Sequence, residues 1–174
     1  MIYLKEANIE DIWKEYDFIT HTPADENGFT NAGFGCSRED FEYKILPGYL
    51  RAAKGIGLRE GWVPETEFFL WDNETIVGLF RIRHYLTEAL ANGGGHIGYG
   101  IRKEWRGKGY ASEGLRLTAE KAWGIIREDE IYMSVHKDNP ASLRVQLKNG
   151  AYIHHEDKKE FYTRIKRSAD RRIK

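Results

Sequence analysis

Residues 96–126 constrain this chain more than any other stretch: a short apolar segment interrupted by glycines, His96-Ile97-Gly98-Tyr99-Gly100-Ile101, runs through a basic glycine-rich loop into an amphipathic run. Interior glycines weaken a strand and mark a bulge, or a place where another backbone or a ligand comes close. From about 109 to 126, Ala111, Leu115, Thr118, Ala122 and Ile126 share one helical face. Between the two, Arg106-Gly107-Lys108-Gly109-Tyr110-Ala111 delivers clustered backbone N–H groups at a helix N-terminus, where small residues let an anion approach. Arg102, Lys103, Arg106 and Lys108 surround that point with positive charge, which suits a ligand carrying several phosphates. The plainer alternative is a turn that only redirects the chain, its basic residues facing water. The loop is neither a Walker loop nor a dinucleotide fingerprint, because G-x-x-x-x-G-K-[ST] and G-x-G-x-x-G are both absent.

The rest of the chain reads as alternating strands and helices. A strand is expected at 2–6, a helix at about 9–19 capped by Asn8, and a helix at about 38–54 opened by Ser37. Between the helices, residues 20–36 follow neither hydrophobic period, so a long functional loop is expected there. Strands follow at 67–71 and 76–86 around the turn Asp72-Asn73-Glu74-Thr75, then one at 130–135. Asn139 with Pro140 starts a short helix ending at Asn149-Gly150, and strands near 151–155 and 160–166 close the order. At 174 residues the chain suits one domain, 1–174, large enough to need neither metal nor disulfide. Cys36 is the lone cysteine, which excludes an intrachain disulfide and a multi-thiolate zinc site and predicts a reducing, cytoplasmic setting. No secretory leader opens the sequence and no apolar run nears the ~20 residues of a membrane span, so no membrane partner is expected. Lys+Arg and Asp+Glu number 27 each, which argues against nucleic acid as a partner. Residues 168–174 form a basic tail, read as solvated.

Arg106-x-x-Gly109-x-Ala111, placed between strand and helix, resembles the acyl-CoA pyrophosphate loop of the GCN5-related N-acetyltransferase (GNAT) superfamily. Asp138-Asn139-Pro140-Ala141-Ser142-Leu143-Arg144-Val145, closing on Lys148-Asn149-Gly150, is similar to that family's later strand–helix segment. Residues 83–86 (RHYL) with 94–102 (GGHIGYGIR) look like a bacterial branch of it. The resemblance implies an α/β GNAT fold: a central, mostly antiparallel mixed sheet of about six to seven strands flanked by about four helices. It implies acetyl-CoA as acyl donor, and a primary amine of a small molecule or peptide as acceptor by direct attack. The alternative is a CoA-binding regulator or sensor with degenerate catalysis. A homodimer is compatible with either.

The resemblance also places residues. Pantetheine would pair with the strand around Tyr99 to Ile101, using the Ile101 amide and carbonyl. The pyrophosphate would rest on the amides of Gly107, Lys108, Gly109, Tyr110 and Ala111, with the Arg106, Lys108 and Ser112 side chains nearby. Asn139 and Ser142 would meet the far side of the cofactor. Many family members carry a Tyr seven residues after the Asn as general acid, and Gln146 stands there in this chain. A thiol with a pKa near 8.5 leaves tolerably without help, and Tyr99 or Tyr110 is available as a substitute. As general base the candidates are His96 on the central strand and then His84, each with an unperturbed pKa near 6.5, against the alternative that they are bonded structural histidines. Asp25 and Glu26, in a loop without Lys or Arg between His21 and Cys36, are expected to attract a cationic amine.

Overall fold

The computed structural model describes residues 1–168, so the basic tail lies outside the described residues apart from Ser168. In chain order the elements are β1 (Ile2–Glu6), α1 (Ile12–His21), β2 (Asp25–Glu26), β3 (Phe29–Thr30), α2 (Arg38–Asp40), α3 (Leu46–Ala53), β4 (Glu65–Asp72) and β5 (Thr75–Arg83). There follow α4 (Glu88–Ala91), β6 (Ile97–Ile101), α5 (Tyr110–Ala122), β7 (Glu130–His136), α6 (Pro140–Lys148), β8 (Tyr152–Glu156) and β9 (Glu160–Lys166). The strands form two antiparallel leaves, β1-β4-β5-β6 and β7-β9-β8, with β2-β3 as a separate hairpin. The leaves meet at the foot of β6 and β7, through a bridge between Gly95 and Met133. Beyond it the two strands do not pair, and a cleft opens between them.

Apolar side chains on both faces of the first leaf explain its place at the centre. On one face Phe68, Leu70, Phe80 and Ile82 pack with Leu115, Ala119 and Ala122 of α5. On the other, Phe69, Trp71 and Leu79 pack with Phe18, Ile19, Phe41 and Leu46. Helix α5 lies close to the sheet because Gly114 has no side chain: a Cβ there would overlap the Phe80 ring.

Several boundaries differ from the sequence reading, each for a local reason. The first helix starts at Ile12 rather than near 9, because Asn8 Oδ1 accepts the Asp11 amide and closes a separate turn. The helix expected over 38–54 passes through a π turn at Phe41–Ile45, where Pro47 has no N–H to return to the Tyr43 carbonyl. The stretch 20–36 is not wholly irregular. Asn27 (φ 54°) and Gly28 (φ 83°) make a two-residue turn that folds 25–30 into a hairpin.

Glu15 is fully buried on α1, its Oε1 accepting the Asn8 amide at 2.9 Å and its Oε2 unpartnered. Burial pushes its carboxyl up to about 8, from an ordinary value of 4.5. The native state therefore holds a proton that the unfolded chain releases, and stability falls as pH rises through the window from about 4.5 to about 8. Between pH 5 and 7.5 the loss is on the order of 3 kcal/mol. Glu15→Gln keeps the acceptor oxygen and removes the titration. Urea unfolding at those two pH values is expected to show a smaller difference in the variant than in wild type; equal differences would refute the buried neutral carboxyl.

Candidate active site

The cleft between β6 and β7 has a volume of about 1020 Å³. Its wall on one side is β6 and the loop into α5; on the other it is Ser134, Val135 and His136 of β7 and the start of α6. A short 3-10 turn, Lys103–Trp105, brings the chain from β6 to the loop. Gly109 is the residue that caps α5, at φ 86°, with no side-chain group satisfying the first amides of the helix. The residues that carry them, Gly109, Tyr110, Ala111 and Ser112, line the cleft together with Gly107. A Cβ on Gly107 or Gly109 would meet no protein atom within 4 Å. The loop is thus an open cradle of N–H groups at the positive end of a helix, and a phosphate-bearing ligand fits it. The left-handed backbone at Gly109 also means that any larger residue there is strained with or without a ligand.

Arg106 lines the cleft as well. Its Nε donates to the Ile101 carbonyl at 2.8 Å and its Nη2 to Glu26 Oε2 at 2.5 Å. The Ile101 carbonyl, expected to face pantetheine, thus already has a donor. Lys108 is not among the residues lining the cleft; its Nζ stands 4.6 Å from the centre of the Trp105 ring, which is. Tyr110 also lines the cleft, and its hydroxyl donates to Asp72 Oδ2 at 2.6 Å. Asn139 caps α6 by accepting the Ser142 amide, and Asn149 Nδ2 donates to the Ser112 carbonyl, tying α6 to α5.

Tyr99 is the aromatic group of β6 aimed at α6. Its ring stacks on Phe80 with centroids 5.3 Å apart, and its hydroxyl lies 2.7 Å from Ser142 Oγ. Burial pushes the phenol pKa up, partly offset by the Ser142 and Gln146 side chains, so the hydroxyl stays protonated at neutral pH. Gln146, where a Tyr was looked for, is buried and accepts from Thr163 Oγ1 at 2.6 Å. Both Tyr99 and Gln146 line the cleft.

The two histidines do not. His96 is fully buried: Nε2 donates to Glu128 Oε2 at 3.0 Å and Nδ1 accepts the Tyr132 amide at 2.9 Å. Its own amide donates to the Tyr132 carbonyl at 2.7 Å, beside the bridge that joins the leaves. His84 Nε2 is 2.8 Å from Thr66 Oγ1 on β4. Burial lowers the pKa of both rings. Neither ring lines the cleft, and the two histidines expected as candidate bases are each already bonded, His96 to Glu128 and the Tyr132 amide and His84 to Thr66. The expected acidic pair is also divided: Asp25 Oδ1 accepts the Gly28 amide inside the hairpin, while Glu26 lines the cleft on Arg106.

Three groups of the cleft wall escaped the sequence reading. Phe29 lies over Gly98 and Gly100, and Arg81 and Arg83 line the same wall. Across the β4–β5 pair they face Glu67 and Glu65, with Arg81 Nε donating to Glu67 Oε1 at 2.6 Å. Two arginines alternating along an otherwise apolar strand were the available signal.

Comparison with known proteins agrees with this geometry. Among solved structures, the Campylobacter jejuni N-acetyltransferase PseH, in complex with acetyl coenzyme A, is 17% identical over 97% of this chain and 100% of its own, with a TM-score of 0.63. The ribosomal-protein-S5-alanine acetyltransferase of Vibrio fischeri is 16% identical over 97% of this chain and 94% of its own, TM-score 0.67. A spermidine N-acetyltransferase chimera from Vibrio cholerae and hSSAT is 14% identical over 95% of each chain, TM-score 0.61. At such identities the likeness is one of fold, and it is the fold of acetyltransferases. The acetyltransferase (GNAT) domain model matches residues 12–152, and the chain belongs to that family. No curated protein matches the sequence.

Proposed function

We propose that this protein is an acetyl-CoA-dependent N-acetyltransferase acting on a primary amine by direct attack. The observation that carries the reading is the open amide cradle at the N-terminus of α5, continuous with a cleft between two unpaired strands. When bound, acetyl-CoA supplies an acyl thioester with a thiolate as leaving group. The amides of Gly107 to Ala111 would hold its diphosphate, helped by Arg106. The unpaired edge of β6 would hold its pantetheine arm as an added strand. Tyr99 carries a proton at Oη in the wall of the cleft, and the general-acid role passes to it from the position of Gln146. No group of three or more metal-ligating side chains occurs among the described residues, and the reaction assigned here needs none.

Calorimetric titration with acetyl-CoA tests the site. Wild type is expected to bind, and Arg106→Ala to bind roughly ten- to a hundred-fold more weakly, since it loses a charge-assisted contact of about 1.5–3 kcal/mol. An Arg106→Ala protein that is folded and binds as wild type would remove the diphosphate from this loop.

A further inference from the structure

The β2–β3 hairpin has strands of two residues each, too short to hold their position unaided. Its place is fixed by what it touches, and it touches both walls of the cleft. Toward β6, the Phe29 ring covers two glycines: a Cβ would come within 3.3 Å of it at Gly98 and 3.2 Å at Gly100. Arg81 stands over the same ring at 5.2 Å and donates Nη2 to the Thr30 carbonyl at 3.3 Å. Toward β7, a Cβ at Gly28 would lie 3.2 Å from His136 Nε2. At the loop, Glu26 holds Arg106.

That last contact is the unusual one. Arg106 is already oriented by the Ile101 carbonyl through Nε, so Glu26 is not needed to aim it. The Glu26 carboxylate instead occupies Nη2 of a guanidinium that lines the same cleft as the loop amides, and it places a negative charge beside a site shaped for anions.

We propose that Glu26 is a latch. Its carboxylate competes with the diphosphate of acetyl-CoA for Arg106, so filling the anion site removes one of the contacts that hold the hairpin over the cleft and loosens it there. Glu26 is thus a positioning residue that acts through Arg106. This rests on the cofactor reading given above.

The test uses the intact protein with coenzyme A as probe. Glu26→Gln removes the competing charge and keeps the side-chain shape. It is expected to bind coenzyme A about two- to five-fold more tightly than wild type, the range of an exposed ion pair. Glu104→Gln, which removes a carboxylate paired with Arg102 at 3.0 Å, is the control for general electrostatics and is expected to change the affinity less. Amide hydrogen exchange over residues 24–31 reads the hairpin directly. Coenzyme A should speed exchange there in wild type, and Glu26→Gln should exchange faster already without ligand. Unchanged or weaker binding by Glu26→Gln, equal tightening by Glu104→Gln, or slower exchange with coenzyme A would each overturn the latch while leaving the cofactor site intact. Wild type that fails to bind coenzyme A would instead bring down the cofactor reading, and the latch with it.

Discussion

Tyr99→Phe is expected to lower kcat for acetyl transfer by about a hundred-fold or more, the contribution of a positioned general acid. The substitution removes one oxygen from a ring otherwise held by its stack on Phe80, so the wall of the cleft keeps its shape. Acetyl-CoA affinity should stay within about two-fold of wild type, placing the loss in kcat rather than in binding. Ser142→Ala takes away the hydroxyl 2.7 Å from Tyr99 and should give a smaller fall in the same direction. Because burial raises the phenol pKa, wild type should retain the acid through neutral pH into the alkaline range. Stopped-flow release of free thiol measures this step. A Tyr99→Phe enzyme with normal kcat would return the proton to solvent.

The second large effect belongs to the fold. Gly114→Val should destabilise the protein by about 3 kcal/mol or more, because the new side chain must displace a fully packed Phe80. Phe80 in turn carries Tyr99, so the same strain reaches the cleft. Gly48→Ala on α3 is the contrast. Nothing lies within 4 Å of a Cβ there, and replacing a helical glycine should stabilise by about 0.5–1 kcal/mol. Denaturant unfolding of both variants should therefore move in opposite directions. A Gly114→Val protein as stable as wild type would mean that α5 does not sit on the sheet as described.

What the sequence showed of this site depended on distance along the chain. Arg106 to Ala111 are consecutive residues at one helix end, and Asn139 caps its helix by accepting an amide three residues on, so both local features were legible without tertiary structure. His96 was not. Its partners Glu128 and Tyr132 lie 32 and 36 residues away, and only the meeting of the two leaves turns a histidine that could be a base into one that is sealed. Tyr99 likewise acquires its place from Ser142, 43 residues on. Glu26 was read as open to an acceptor because Arg106, its partner, is 80 residues later. The hairpin carried a local signal, Asn27-Gly28, but strands of two residues leave no periodicity, and their position comes from Phe29 lying on glycines of a distant strand.

Proteins sharing this fold are named for acceptors as different as spermidine and the alanine of a ribosomal protein, so the sheet and the cofactor loop do not choose between them. The most direct measurement incubates the purified protein with acetyl-CoA and a panel of amines (a polyamine, amino acids, an alanine-initiated peptide, an amino sugar), following free thiol and product mass. The account predicts thiol release above spontaneous hydrolysis with at least one amine, and a product heavier by one acetyl group. Tight binding of acetyl-CoA with no amine-dependent release across the panel would contradict it, and would make the protein a CoA-binding regulator instead.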